Sequence, residues 1–275
     1  MGVQKGGRVT VRGKKTWKIL LLVFSFLLFV APLLYMFLKS VSYGWTWPNW
    51  RPDSLNFRAW EVIFRDPSLI IALKMTICVG VAVVLLNFFI AVPAAISLSR
   101  CNFKGKTIIE AIVMLPILIP VLAIAMGMHL SMIKLGLADQ MIGVILIHLM
   151  PTLPYAVRVL KAGFDRLGTN WEEQALVLGI KRRKIFWTVT LPLMLPSLRS
   201  MAILVFVISL SQYVLTAIIG GGKVLTLPML YYPFFKSSDE AVVAGFSVLF
   251  SILPILFLLC FEAFVCCYLL VLKRP

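Results

Sequence analysis

The sequence contains few of the side chains that perform acid–base or metal chemistry. Eleven of its 275 residues are Asp or Glu and two are His, and no HExxH pattern or acidic cluster occurs. An integral-membrane enzyme, such as a lipid transferase or a phosphatase, would need such a cluster near the membrane surface. This class of function is therefore disfavoured, and we predict no catalytic residue.

Metal-binding and nucleotide-binding patterns are equally sparse. The five cysteines show no CxxC spacing, and four of them lie in apolar runs, where a thiol usually acts as a small hydrophobe. His129 and His148 fall in separate apolar segments, so we predict neither a disulfide nor a metal site. The GGGK run at 220–223 lacks the GxxxxGK[ST] spacing of a phosphate-binding loop. We therefore predict that this chain itself binds no cofactor.

Apolar residues, by contrast, make up 61% of the sequence, and the mean hydropathy is +0.98. A soluble domain of this size would lack the polar surface to cover itself, so lipid must be the main solvent. Each apolar stretch runs for about 20 residues, which suits a helix crossing a ~30 Å hydrocarbon core better than a barrel strand. We predict an all-α integral membrane protein with six transmembrane helices, at roughly 17–38, 69–98, 108–130, 140–160, 194–219 and 242–271.

The first apolar stretch could also be read as a signal peptide, because six basic residues precede it. Its length, from Ile19 to Leu38, exceeds the 7–15 residues of a typical signal-peptide core, so we favour an uncleaved first helix. After it, residues 43–68 form a Trp- and Pro-rich segment that includes Trp45, Trp47 and Trp50. Such aromatic residues favour the lipid headgroup level.

The distribution of positive charge predicts the orientation. With the N-terminus inside the cell, 19 of the 27 Lys and Arg residues fall in the cytoplasmic tails and loops. Both termini are therefore predicted to be cytoplasmic in a multi-pass membrane protein. The formal charge of +16 thus indicates topology and lipid contact rather than nucleic-acid binding.

The longest cytoplasmic stretch, residues 161–193, has the pattern of two short helices joined at a glycine. Asn170 is a candidate N-cap for the first helix, with acidic residues in its opening turn. Gly179 suits the left-handed position after that helix. We expect the second helix to end at Leu191-Pro192, since a proline disfavours helical backbone in the residue before it.

This stretch resembles the EAA loop of binding-protein-dependent ABC importer permeases of type I. In that loop Glu-Ala-Ala is followed by three residues, a glycine and, about nine residues later, a hydrophobic-x-Leu-Pro close. The matching positions are Glu173, Gln174, Ala175, Gly179, Phe186, Val189, Leu191 and Pro192. Gln174 replaces the usual alanine, a substitution that leaves helix formation intact. The resemblance covers about residues 69–270, which we predict to be the core domain, preceded by a separate segment at 1–68.

The resemblance implies a role and a set of partners. The EAA-like loop would couple to a pair of ABC ATPase subunits, which hold ATP and Mg, through Glu173, Gln174, Ala175, Gly179, Phe186, Leu191 and Pro192. A second permease chain, identical or homologous, would complete the path, because this sequence carries a single such loop. An extracytoplasmic substrate-binding protein is a further expected partner. The stretch around 220–228 resembles permeases for polyamines, ferric iron and thiamine, so a small polar or charged solute is expected.

Polar residues within the predicted spans are candidates for the substrate path. We single out Asn87 in the second span and the cluster Ser211, Gln212 and Tyr213 in the fifth. Each of them could instead join helices by hydrogen bonds.

Two other classes of transporter agree less well with this sequence. An ion-driven secondary transporter would need acids near mid-membrane, where Glu262 is the one weak candidate, and the 161–193 loop would have no role. An ABC exporter half is normally fused to its ATPase, but this sequence contains no Walker motif of an ATPase. The importer permease is preferred.

Overall fold

Helix dominates this protein because most of its apolar residues occur in long uninterrupted runs. The computed structural model describes residues 10–45, 48–49, 51–236 and 239–272. The basic tail before residue 10, Trp47, Trp50, and the basic residues Lys273 and Arg274 lie outside that part. The described chain divides into two compact units: one from the ranges 1–65 and 234–250, the other from 66–233 and 251–275.

The first unit contains helix α1, a two-stranded antiparallel sheet and helix α2. These elements are α1 (Thr10–Ser40), β1 (Ser42–Tyr43), β2 (Ser54–Leu55) and α2 (Arg58–Arg65), with Ser42 opposite Leu55. The start of α13 (Glu240–Leu272) belongs to the same unit. Lys39 pairs with Glu240 at 2.6 Å. The side chains from 17 to 38 are exposed, apart from one half-buried valine, so α1 presents an apolar surface all round.

The second unit contains the remaining helices. In chain order they are α3 (Ser68–Arg100), α4 (Lys106–Leu118), α5 (Val121–Lys134), α6 (Met141–Leu167), α7 (Asn170–Val177), α8 (Arg182–Ile185), a π-helical segment (Phe186–Thr190), α9 (Leu191–Leu193), α10 (Leu195–Leu210), α11 (Tyr213–Gly220), α12 (Leu227–Tyr231) and the rest of α13. A 3₁₀ turn (Tyr232–Lys236) begins in this unit and continues into the first unit from Phe234.

Four helices among the described residues are long and apolar enough to cross a membrane. They contain the stretches Trp17–Ser40, Ser68–Arg100, Met141–Leu167 and Glu240–Val271. Two bent pairs raise the number to six: α4 with α5, bent by 101°, and the segment Arg182–Leu193 with α10, bent by 70°. The predicted all-helical membrane fold is thereby confirmed, with the third and fifth predicted spans broken.

A proline lies at each of these breaks, since Pro196 is in the first turn of α10, just after the bend of the fifth span. Pro120 is the N-cap of α5 and has extended ψ, which places the break of the third span at Ile119–Pro120. Pro93, Pro151, Pro154 and Pro254 instead lie inside continuous helices. A proline inside a membrane helix need not end it where neighbouring groups satisfy the freed carbonyl.

The core of the second unit forms where α3, α6 and α10 approach closely. A Cβ atom at Gly80 would lie 2.6 Å from the Phe206 ring, and one at Gly163 would lie 2.3 Å from Ser197 Oγ. Phe206 is fully buried and stacks on Phe257 with ring centroids 4.1 Å apart. Small residues therefore bring the helix backbones together, the usual way of packing helices in lipid.

Candidate functional site

The EAA-like loop begins with α7 and turns at Gly179. The amide of Ile180 donates to Ala175 O at 3.2 Å, and the amide of Gly179 donates to Leu176 O at 2.9 Å. These two bonds define a Schellman motif, which requires a left-handed residue after the helix. Gly179 has φ +77°, so the predicted left-handed conformation of this glycine is confirmed. The N-cap is Thr169 rather than Asn170, which is the first helical residue.

The second half of the loop differs from the sequence-based expectation. Leu191-Pro192 does not end the second helix, because the chain continues as α9 to Leu193 and bends at Met194. The residues before the proline form π-helix instead, and the amide of Leu191 donates to Phe186 O. Pro192 occupies the first turn of α9, where its missing N–H leaves no helical bond unmade.

The predicted coupling residues divide into two groups. Glu173 and Gln174 are exposed and, together with Asn170, Val177 and Leu178, line an open depression of about 500 Å³. Val177 and Leu178 are 88% and 78% exposed, which is unusual for large apolar side chains on a polar loop. In the second group, Ala175 and Leu191 are buried and Phe186 and Pro192 are half-buried, so these four residues shape the loop from within.

Glu173 is one of two acids, with Asp53, that form neither an ion pair nor a hydrogen bond with their side chains among the described residues. Eight of the eleven acids form ion pairs, and Asp66 accepts a bond from the Ser68 amide at 2.8 Å. Within the described part of the chain, Glu173 forms neither an ion pair nor a side-chain hydrogen bond. Its charge is therefore available to a group outside this chain.

Its neighbour Glu172 is engaged in the opposite way. Both Arg100 guanidinium NH2 groups donate to the Glu172 carboxylate, one of them at 2.8 Å. Thr190 Oγ1 donates to the same carboxylate at 2.5 Å. Sequence reasoning placed Glu172 only in the opening turn of a helix, since its partners lie 72 and 18 residues away along the chain.

The charge state of Glu172 follows from these contacts. Burial alone raises the pKa of its carboxyl group, but hydrogen bonds from Arg100 and Thr190 and the positive charge of Arg100 outweigh burial. The pKa of Glu172 therefore lies below its ordinary value, and the carboxylate is charged at neutral pH.

Asn87, a predicted path residue, is fully buried rather than exposed to a solute. Its amide nitrogen donates to Val83 O and to Thr152 Oγ1, both at 2.9 Å. Thr152 in turn donates to His148 O at 2.7 Å. In this structure Asn87 therefore joins α3 to α6. This agrees with the alternative interpretation, in which a polar residue in a span joins helices by hydrogen bonds.

His148 extends this network to the fifth predicted span. Its ring nitrogens contact Ser209 Oγ at 2.9 Å and Thr216 Oγ1 at 3.1 Å. Thr216 uses its hydroxyl hydrogen on Gln212 O at 2.6 Å, so Nε2 of His148 must be the donor and Nδ1 accepts from Ser209. His148 thus bridges α10 and α11 on either side of their junction, a role that its sequence position alone could not indicate.

The other predicted path residues occupy that junction. Ser211 is exposed and is the C-cap of α10, while Gln212 and Tyr213 are half-buried at the start of α11. Ser211 Oγ and Gln212 Nε2 both donate to Ile208 O, at 2.8 and 3.1 Å. The Tyr213 ring stacks on Tyr232 with centroids 4.1 Å apart. The three residues form a polar break at one level of an otherwise apolar span.

No group of three or more His, Cys, Asp or Glu side chains suited to holding a metal ion is found among the described residues.

Known proteins of similar sequence are permease subunits. The chain is 30% identical over 160 residues to the molybdate/tungstate transport system permease protein of Pyrococcus abyssi, a match that covers 58% of this chain and 64% of that protein. It is 24% identical over 231 residues to the putrescine transport system permease protein of Escherichia coli K12, covering 80% of each. The molybdenum transport system permease protein of Mycobacterium tuberculosis is 29% identical over 202 residues, covering 68% of this chain and 76% of that protein.

The fold is also found in solved structures. A bacterial ABC transporter involved in import of the acidic polysaccharide alginate matches with a TM-score of 0.72 at 20% identity, covering 94% of this chain and 99% of the other. A second structure, of the alginate ABC transporter in complex with an alginate pentasaccharide-bound periplasmic protein, matches with a TM-score of 0.63 at 15% identity, covering 92% and 95% of the two chains. At these identities the likeness establishes the fold.

The family profile gives the decisive match, because it includes the loop, the polar network and the broken fifth span together. It extends over residues 87–265, well over half of the chain. This chain belongs to the family of inner membrane components of binding-protein-dependent transport systems.

Proposed function

We propose that this chain is a permease subunit of an ABC importer in the bacterial inner membrane. It carries a small polar or charged solute and couples to a separate ATPase through the EAA-like loop. The observation that carries this proposal is Glu173, an exposed acid without a partner among the described residues, on the loop by which the sequence resembles importer permeases. The family membership supplies the class of protein; the loop supplies the mechanism.

The loop surface has the composition of a protein-docking site. Exposed apolar residues beside a charged group are typical of a surface that meets another protein, and Val177 and Leu178 lie beside Glu173 in one depression. A basic group of the ATPase would pair with Glu173, while Val177 and Leu178 would enter an apolar cleft. In this proposal the loop and both chain termini are cytoplasmic, as the distribution of Lys and Arg predicts.

Further partners follow from the same reading. A second permease chain would cover part of the apolar surface, and two ATPase subunits would hold ATP and Mg. A periplasmic binding protein would deliver the solute, in keeping with the complex known for the alginate transporter. The break at Ser211, Gln212 and Tyr213 is the proposed solute path, because polar groups exposed inside a span are otherwise disfavoured in lipid. Asn87 is a second, enclosed candidate for the path, since its amide nitrogen is used between helices but its buried amide oxygen has no partner among the described residues.

The solute itself is proposed only as a class. Known relatives carry molybdate, tungstate or putrescine, and the sequence resemblance favours polyamines, ferric iron, thiamine or similar solutes.

Binding of the cognate ATPase to the chain in nanodiscs tests the coupling directly. We expect Glu173→Arg to weaken binding by roughly tenfold or more, because like charges across an interface disfavour association. Glu61→Arg is the matched control, since Glu61 is an exposed acid in the other unit whose partner is a neighbour on its own helix. Equal binding of wild type and both variants would refute the assignment of Glu173.

Uptake into proteoliposomes separates the importer from a secondary transporter. With putrescine, molybdate and thiamine as probes, uptake of any of them is expected only with the ATPase and ATP present. Uptake driven by a proton or sodium gradient without the ATPase would instead support an ion-driven carrier.

A further inference from the structure

Glu172 is next to Glu173 in the sequence, but the contacts of the two side chains indicate different roles. Glu173 is exposed without a partner among the described residues, whereas Glu172 and Arg100 form an ion pair whose side chains are 21% and 20% exposed. A carboxylate already held by three donors is poorly placed to receive a basic group from another protein. Its contacts must therefore be explained within this chain.

Each partner of Glu172 belongs to a different element of the bundle. Arg100 is the last residue of α3, and its guanidinium lies over the ring of Phe164 in α6, 5.4 Å from the centroid. Phe164 is buried, so Arg100 is fixed to two membrane helices. Glu172, on α7, binds to a group that is itself held by the bundle.

The third contact connects α7 to the fifth predicted span. Thr190 is the last residue of the π-helical segment, and from there the chain passes through α9 and the bend at Met194 into α10. The Thr190 side chain is buried. One carboxylate thus joins α7 to the end of α3 and to the segment leading into α10.

Local geometry alone does not hold α7 in this position. Its N-cap, Thr169, makes no side-chain capping bond, and α7 is only eight residues long, below the length at which isolated helices persist in water. The turns on both sides contain glycines with positive φ, Gly168 and Gly179. The contacts of Glu172 are therefore the polar link that fixes α7 relative to the spans.

We infer that Glu172 is a positioning residue for energy coupling: with Arg100 and Thr190 it forms a brace that makes α7 move together with α3 and α10. Displacement of α7 by the ATPase is then passed to the membrane helices instead of being absorbed by the two glycine turns. Glu173 binds the ATPase; Glu172 transmits its movement. This inference rests on the proposed function of the loop.

A kinetic comparison separates these two roles. The chain is assembled with its second permease chain and the cognate ATPase in nanodiscs, and two quantities are measured: the Kd for the ATPase and the kcat of ATP hydrolysis at saturating permease. Glu172→Gln keeps the shape and removes the charge. We expect its Kd to stay within about twofold of wild type while kcat changes by roughly fivefold or more, the lower range of typical coupling between sites. Glu61→Gln, the same substitution at an exposed acid of the other unit, is the matched control, with wild-type Kd and kcat. Glu173→Gln is expected to raise the Kd.

Rescue by exchange of the two charges distinguishes a brace from general destabilisation. The double variant Arg100→Glu with Glu172→Arg is expected to restore kcat, and Thr190→Val to change kcat in the same direction as Glu172→Gln but less. A role in folding alone would lower the amount of folded chain without altering kcat of the assembled complex.

Each contrary outcome has a separate meaning. A wild-type Kd and kcat for Glu172→Gln would overturn the brace and leave the proposed function standing. A raised Kd with unchanged kcat would overturn it by making Glu172 an ATPase contact, and failure of the exchange to restore kcat would overturn it by removing the pair as the cause. Absence of ATPase binding by the wild-type chain would instead contradict the proposed function.

Discussion

Replacement of Gly179 by alanine isolates the contribution of backbone conformation to coupling. Gly179 has φ +77°, and a Cβ atom built there would meet no heavy atom within 4 Å. No steric clash contributes, so the whole effect is the unfavourable left-handed conformation of an L-residue, about 1–2 kcal/mol. At 1.4 kcal/mol for each factor of ten, this energy lowers the equilibrium constant for forming the native turn by about 5- to 30-fold.

The expected measurement is the Kd of the cognate ATPase for the chain in nanodiscs. If binding requires the native turn, the apparent Kd rises by the factor by which that turn is depopulated. Gly179→Ala should therefore weaken binding measurably, with about 5- to 30-fold as the upper limit. Gly179→Asn should weaken it less, because Asn tolerates the left-handed region better than Ala.

Gly105→Ala provides the matched control. Gly105 also has positive φ (+88°) and an open Cβ position, but it lies before α4 and outside the EAA-like loop. We expect its Kd to equal that of wild type. Equal Kd values for Gly179→Ala and Gly105→Ala would refute the reasoning, and so would an Asn variant as defective as the Ala variant.

Three further predictions concern stability and are checked by thermal unfolding in detergent. Gly80→Ala should destabilise by about 1–3 kcal/mol, since its Cβ would crowd the Phe206 ring; adding Phe206→Leu should recover most of the loss, and no recovery would contradict the packing argument. His148→Leu should destabilise the protein by about 1–3 kcal/mol, because two intramembrane hydrogen bonds are lost. His129→Leu should be neutral, since His129 is half-buried and the structure shows no hydrogen bond of its side chain among the described residues. Equal effects of the two substitutions would argue against the His148 network. The pKa of Glu172 is below its ordinary value of 4.5, so the stability from its ion pair should be complete above about pH 4.5 and lost as pH falls through the lowered pKa. The difference in unfolding temperature between wild type and Glu172→Gln should therefore shrink as pH falls through that range. A difference that stays constant with pH would contradict this prediction.

Much of the structure of the EAA-like loop could be predicted from the sequence, because the features of this loop are local. A helix start, a left-handed glycine and a hydrophobic-x-Leu-Pro close each depend on residues only a few positions apart, and the Schellman motif at Gly179 confirms the turn. The predicted cap at Asn170 missed by one residue, within the usual uncertainty of helix ends. The expected end at Leu191-Pro192 was wrong because a proline is accepted in the first turn of a helix, and sequence alone did not show that a π-helical segment would place Pro192 there.

The candidate residues for the substrate path show what could not be predicted from the sequence. Asn87 and Ser211 are both polar residues within apolar stretches, and nothing in their local sequence tells them apart. Only helix packing buries Asn87 against Thr152 and leaves Ser211 exposed at the end of α10. Whether a polar side chain in a span meets a solute or another helix depends on its neighbours in space.

The sequence by itself determined that lipid is the main solvent of the chain, that the fold is a bundle of membrane helices, and where the EAA-like loop lies. These follow from composition, from the length of apolar runs and from spacings within one loop, none of which requires knowledge of distant contacts. The tertiary structure alone decided that Glu172, rather than Glu173, is bound inside the chain, that His148 bridges α10 and α11, and that Asn87 is buried. Each of these contacts joins residues separated by 18 to 72 positions, a distance along the chain over which only the packing of helices determines which side chains meet.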